Sequence, residues 1–175
     1  MKLGRDFNTL WFGQTASLFG SAVTTLALPS VAILSLSATP LQVGTLNALQ
    51  FAAFPILGLA VGVWADRAAR RPIMIAADIL RAVVLAAILL TALLHRLAFV
   101  QLAVAATILG IGSVFFEICY QSYLPTIVDR TALTAANSRL EFTRSVAQIG
   151  GNGVAGPIIA AIGAPLALGI DALSS

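Results

Sequence analysis

Charge is what this sequence has least of. Only 10% of its 175 residues are Asp, Glu, Lys or Arg, while 59% are hydrophobic. Soluble domains carry about 25% charged residues. A chain this poor in charge lacks the polar surface to cover a soluble core, and its mean hydropathy of +0.96 points the same way. Cysteine is nearly absent too: Cys119 stands alone, which excludes an intrachain disulfide and leaves a buried packing role as the expectation. There is a single histidine, His95. With one His and one Cys, neither a metal-ligand spacing nor a nucleophile–base arrangement can be assembled from them, so no enzyme chemistry, metal or cofactor is expected. Gly150-Gly-Asn-Gly153 lacks the preceding strand and the following Lys-Ser/Thr of a phosphate loop. The net charge of +3 does not imply nucleic acid, because the basic residues are dispersed between apolar segments rather than gathered on a polar domain.

What the sequence does have is long uncharged runs. No charged residue occurs from Phe7 to Ala65, long enough for two membrane spans of about 20 residues each. Leu36-Ser-Ala-Thr-Pro40 breaks that stretch, giving a first helix from about Phe7 to Leu36 and a second from Leu41 to Trp64. The first run is too long for a signal-peptide core and contains Gln14, Ser17, Thr24, Thr25 and Pro29, so it reads as an uncleaved span. A third helix is expected over Pro72–Leu94 and a fourth over Leu97–Tyr123. In the polar connector that follows, Ser138-Arg-Leu-Glu141 matches a capping box and predicts a fifth helix from there to Ile162. Gly163-Ala-Pro165 turns the chain, and Leu166–Ser175 reads as the opening of a sixth helix. The fold class is thus all-α, a polytopic membrane bundle whose first partner is the lipid bilayer.

Basic side chains set the topology. Lys2 and Arg5 precede the first helix, Arg67, Arg70 and Arg71 lie between the second and third, and Arg130, Arg139 and Arg144 lie between the fourth and fifth. Only Arg96 falls on the other side. The excess of basic residues in cytoplasmic segments places the N-terminus and these turns in the cytoplasm. Trp11 and Trp64 then fall at one membrane face, as interfacial anchors would.

The turn Gly62-Val-Trp-Ala-Asp66-Arg67-Ala-Ala-Arg70-Arg71 carries a resemblance. Gly-x-x-x-Asp-Arg-x-x-Arg-Arg between a second and third span is similar to the loop signature of the major facilitator superfamily. Leu10-Trp-Phe-Gly-Gln14-Thr-Ala-Ser17, Asp78-x-x-Arg81 and Ala136-Asn137 resemble the bacterial efflux branch that includes macrolide and enterobactin exporters. The chain departs from the pattern at Ala69, where the family often has Gly, and in its fourth helix, which has Glu117 and no Arg. In the fifth helix, Asn152-x-x-x-Gly156-Pro157-Ile-Ile-Ala160-Ala161 keeps only part of the antiporter glycine pattern. The resemblance implies that residues 1–175 are the N-terminal half of a secondary transporter, with five helices and part of a sixth, in a bacterial inner membrane. It implies alternating-access export of a small amphipathic molecule, with possible proton antiport. The partners implied are that substrate and a missing C-terminal half or a second copy. A different reading is a non-transporting fragment or membrane interaction half-bundle that needs a partner half.

Several residues carry candidate roles. Gly62, Asp66, Arg67, Arg70 and Arg71 are a topology signal by their charge alone; the resemblance makes them a cytoplasmic gate, with Gly62 allowing close helix approach. Asp78 and Arg81 share a helix face, roughly 9 and 13 Å along the third helix from Pro72. Intramembrane charges are expected to be paired and to face protein or water, so a structural ion pair stands beside direct contact with substrate or proton. Glu117 either takes up a proton or pairs with a connector arginine such as Arg130. Gln14, Ser17 and Thr24 either bind substrate or make interhelical hydrogen bonds. Gly151, Gly156 and Pro157 form a packing stripe with a kink in the fifth helix.

Overall fold

The computed structural model describes residues 5–65, 69–127 and 133–162; at scattered positions within the helices, Ser17 and 151–162 among them, only the backbone is described. These residues form five α-helices and no strand: α1 Arg5–Leu36, α2 Pro40–Ala65, α3 Arg70–Leu93, α4 Phe99–Ile127 and α5 Leu133–Ile162. At about 1.5 Å per residue, helices of 24 to 32 residues exceed the ~30 Å hydrocarbon layer. Among the described residues, the stretches Pro40–Ala65, Arg70–Leu93 and Phe99–Tyr123 are long and apolar enough to cross a membrane. Their outer faces are apolar as well. Leu41, Phe54, Ile56, Leu59, Val83 and Leu90 are exposed, Leu59 by 85%. In water that surface would be a liability; against lipid it costs nothing.

The helix starts and stops follow from local chemistry. Pro40 opens α2, where its missing N–H is no loss. Thr39 and Gln42 close a reciprocal cap: the Thr39 N–H donates to Gln42 Oε1 at 2.8 Å, and the Gln42 N–H donates to Thr39 Oγ1 at 3.3 Å. At α4 the Ala98 N–H donates to Gln101 Oε1 at 3.0 Å. Two helices end on a non-glycine residue in the left-handed region, α1 at Ser37 (φ 51°) and α3 at His95 (φ 53°). That geometry lets the Ala38 N–H reach the Ala32 carbonyl at 3.1 Å and the Arg96 N–H reach the Thr91 carbonyl at 2.9 Å, which satisfies otherwise orphaned carbonyls.

Three helix boundaries differ from those expected. α5 begins at Leu133, so Ser138 and Glu141 sit inside the helix and no capping box forms there. Ala136 and Leu140, four residues apart and both buried, carry the helical stripe back past Ser138. α4 runs on through Pro125 to Ile127, and α3 begins at Arg70, so Pro72 falls in its first turn, where no backbone hydrogen bond is lost. The expected sixth helix and the residues Asp66, Arg67 and Arg130 lie outside the described residues.

The helices pack in two groups. α4 lies between α2 and α3, while α1 pairs with α5 and touches α4 and α2 less extensively. The α2–α4 contact is tightest at Gly110, where an added Cβ would collide with the Gln50 carbonyl. Apolar cores close both ends. Ala65, Met74, Phe116, Cys119, Tyr120, Ala136 and Leu140 form one, with Trp11 packed against it. Ala27, Leu28, Val31, Leu46, Leu85, Ile88, Leu102 and Leu109 help form the other. The first core gathers the α1, α3 and α5 starts with the α2 and α4 ends, so Arg70, Arg139 and Arg144 share one end of the bundle and Arg96 lies at the opposite end.

Candidate functional site

Polar side chains concentrate where the α1–α5 pair meets the α2–α4–α3 layer. Arg81 is buried near the middle of α3, with Nη1 3.9 Å from Asp78 Oδ1. Its Nη2 donates to Ser21 Oγ on α1. Because α4 lies against α3, the arginine must pass that helix to reach α1. Gly112 makes room: a Cβ there would stand 3.4 Å from Arg81 Cγ and 3.8 Å from the Ala77 carbonyl. Ser21 was not singled out in the sequence, although it continues the polar positions 14, 17 and 24 at helical spacing, which is the signal that finds it.

Glu117 on α4 is held at both oxygens. Arg144 Nη2 of α5 donates to Oε2 at 2.7 Å, and Gln121 Nε2, one turn along α4, donates to Oε1 at 2.9 Å. The partner is therefore Arg144. Arg144 lies eleven residues, about three turns, inside α5 from Leu133. This pair is common to two cavities. One, of about 610 Å³, is lined by Gln14, Tyr120, Asn137, Ser138 and Glu141 together with the pair. The other, of about 530 Å³, is lined by Ser21, Thr25, Gln50, Arg81 and Ser113 together with the pair.

The residues 4–175 match the model of the family described as transmembrane secretion effectors, within the major facilitator superfamily. The chain belongs to that family. It is 26% identical over 143 residues to macrolide efflux protein A of Streptococcus pyogenes, and equally to the same-named protein of a serotype M6 strain of that species. The match takes in 82% of this chain and 35% of the relative's length, so the chain spans about a third of the curated relatives it matches. No solved structure matches it significantly.

In this family member the helix 1 candidates divide. Gln14 and Thr24 are buried, and Gln14 lines the larger cavity. The Ser17 side chain lies outside the description. Thr15 and Thr25 donate to carbonyls of their own helix, Trp11 at 2.7 Å and Ser21 at 2.9 Å. Trp11 is a tie between helices: its Nε1 donates to Thr143 Oγ1 at 3.0 Å, and the Arg139 guanidinium lies 4.1 Å from its ring centroid. Trp64 is half exposed at the α2 end and meets Phe115 edge-on at 5.7 Å.

Of the loop motif, Asp66 and Arg67 lie outside the described residues. Arg70 Nη1 donates to the Ser122 carbonyl at 3.0 Å, a cation at the α4 C-terminal end where the helix dipole favours it. Arg71 is exposed. At Gly62 an added Cβ meets nothing within 4 Å, so among the described residues the close approach falls at Gly110, which the sequence did not mark out. Gly151, Gly156 and Pro157 lie within the α5 span with only their backbone described.

Proposed function

We propose that the chain forms the N-terminal half, residues 1–175, of a secondary transporter that exports a small amphipathic molecule by alternating access. In this reading the two cavities are this half's share of the substrate path, and the basic end faces the cytoplasm of a bacterial inner membrane. Gly62, Asp66, Arg67, Arg70 and Arg71 serve as its cytoplasmic gate against the other half.

The observation that carries the reading is the Glu117–Arg144 pair, 2.7 Å apart and shared by both cavities. A structural bridge can be placed anywhere in a protein; this one stands where a solute would pass. Proton uptake by Glu117 removes the charge that holds Arg144. The freed guanidinium, already 44% exposed, then turns to solvent or ligand. The α4–α5 contact is thereby linked to proton binding, which is what antiport requires. Asp78 and Arg81, reaching Ser21, link the third helix to the same seam.

A macrolide is the first substrate to test, because the matched relatives are named for macrolide efflux. In proteoliposomes holding the full-length protein, an imposed pH gradient should drive macrolide transport. Glu117→Gln should abolish the pH-driven component and Asp78→Asn should reduce it. Unchanged pH-driven transport in both variants would rule out coupling through these groups.

A further inference from the structure

Two buried polar atoms, on residues that line the larger cavity, are unmet. Gln14 is 7% exposed and Tyr120 8%; among the described residues Gln14 Oε1 and Tyr120 Oη have no hydrogen-bond partner. Both residues line the cavity of about 610 Å³. Buried polar atoms are nearly always paired, because desolvation without a partner is a standing cost to the fold. Neither side chain is forced there by packing: Leu or Met would fill the Gln14 position, and Phe would fill that of Tyr120. The charged groups nearby are different, since Glu117 already has Arg144 and Gln121 on its two oxygens. Glu141, the other acidic residue on the wall, is exposed to solvent, so the buried unmet demand in this cavity is neutral.

Its placement is also fixed. Gln14 lies one turn from Trp11, whose indole is bonded to Thr143 of α5. Tyr120 lies one turn from Glu117 on α4 and stacks on Phe116 with ring centroids 6.1 Å apart. Asn137 and Ser138 of α5 add neutral polar groups to the wall, and Leu18 and Leu140 add an apolar surface. A carboxamide oxygen only accepts, whereas a phenol donates and accepts. An alcohol answers both, and it satisfies the carboxamide in either flip orientation.

We propose that Gln14 and Tyr120 form a neutral hydrogen-bonding subsite that receives a hydroxyl-bearing face of the transported molecule. The subsite rests on the reading of this cavity as substrate path, and it gives that path a chemical preference: alcohols over ethers of the same shape. It also names Tyr120 as a specificity-determining residue.

The test compares a tritiated macrolide with the same macrolide whose hydroxyls are O-methylated, binding to the full chain in lipid nanodiscs. The hydroxylated probe should bind more tightly. Tyr120→Phe and Gln14→Met should each weaken it about tenfold, and Gln14→Met should affect the O-methylated probe, which has no hydroxyl to donate, far less. Both substitutions should also raise the thermal midpoint of the ligand-free chain by a few degrees, because each removes an unmet polar atom. Equal affinity of the wild-type chain for the two probes, or a lowered midpoint in both variants, would overturn the subsite while leaving the cavity as a path. Binding of neither probe by the wild-type chain would overturn both.

Discussion

At Gly110 the backbones of α2 and α4 approach until no side chain fits, since a Cβ there collides with the Gln50 carbonyl. Gly112, two residues on, faces the flexible Arg81 stem at 3.4 Å. The two glycines should therefore respond differently to the same change. Gly110→Ala should lower stability by about 1–3 kcal/mol, as overpacking against an immovable backbone does. Gly112→Ala should be close to neutral, because the stem can shift and alanine favours the helix by about 1 kcal/mol. Thermal unfolding in detergent measures both, and equal losses would show that the Arg81 stem is as rigid as the backbone. Neither role was legible in the sequence, where glycines in apolar helices look alike; only the neighbouring helix distinguishes them. Glu117 shows the same limit. Desolvation alone left a carboxylate in a span two outcomes, to take up a proton or to be held by a basic group. Which arginine holds it depended on the register of a helix 27 residues away. Tyr120 was overlooked because an aromatic in a span is ordinarily packing, and only its unmet hydroxyl sets it apart.

At the scale of elements, the capping chemistry separates real helix starts from sequence look-alikes. Thr39 and Gln42 exchange two hydrogen bonds at the α2 start, while Ser138 and Glu141 present the same spacing inside α5. Thr39→Ala should cost about 1 kcal/mol, whereas Ser138→Ala should change stability by only a few tenths, alanine being the better residue in a helix interior. The reverse order in denaturation midpoints would put the α5 start back at Ser138. The spans themselves were readable because lipid imposes length and apolarity on every one of them, whatever its neighbours. Their ends were readable to within a few residues where a proline or charge marked them. α5 was misplaced because its first turns are held by Ala136 and Leu140 in a core that no local pattern announces.

For the molecule as a whole, the gathering of Arg70, Arg139 and Arg144 at one end bears on orientation. In a Cys119→Ser background, Ser37→Cys or His95→Cys should react with an impermeant maleimide added outside intact cells. Ala69→Cys should react only after the cells are opened. Labelling in the opposite sense would invert the proposed topology. The packing order has a consequence for biosynthesis. α2 and α3 are consecutive in the chain, yet both lie against α4; α1 is paired with α5. The ribosome therefore delivers three spans before the one that joins two of them exists, and a fourth before the first meets its mate. A nascent chain interrupted after α3 holds greasy rods with few partners among themselves. Until α4 and then α5 emerge, the insertion machinery and the lipid, rather than the protein's own interior, must keep these helices upright and apart.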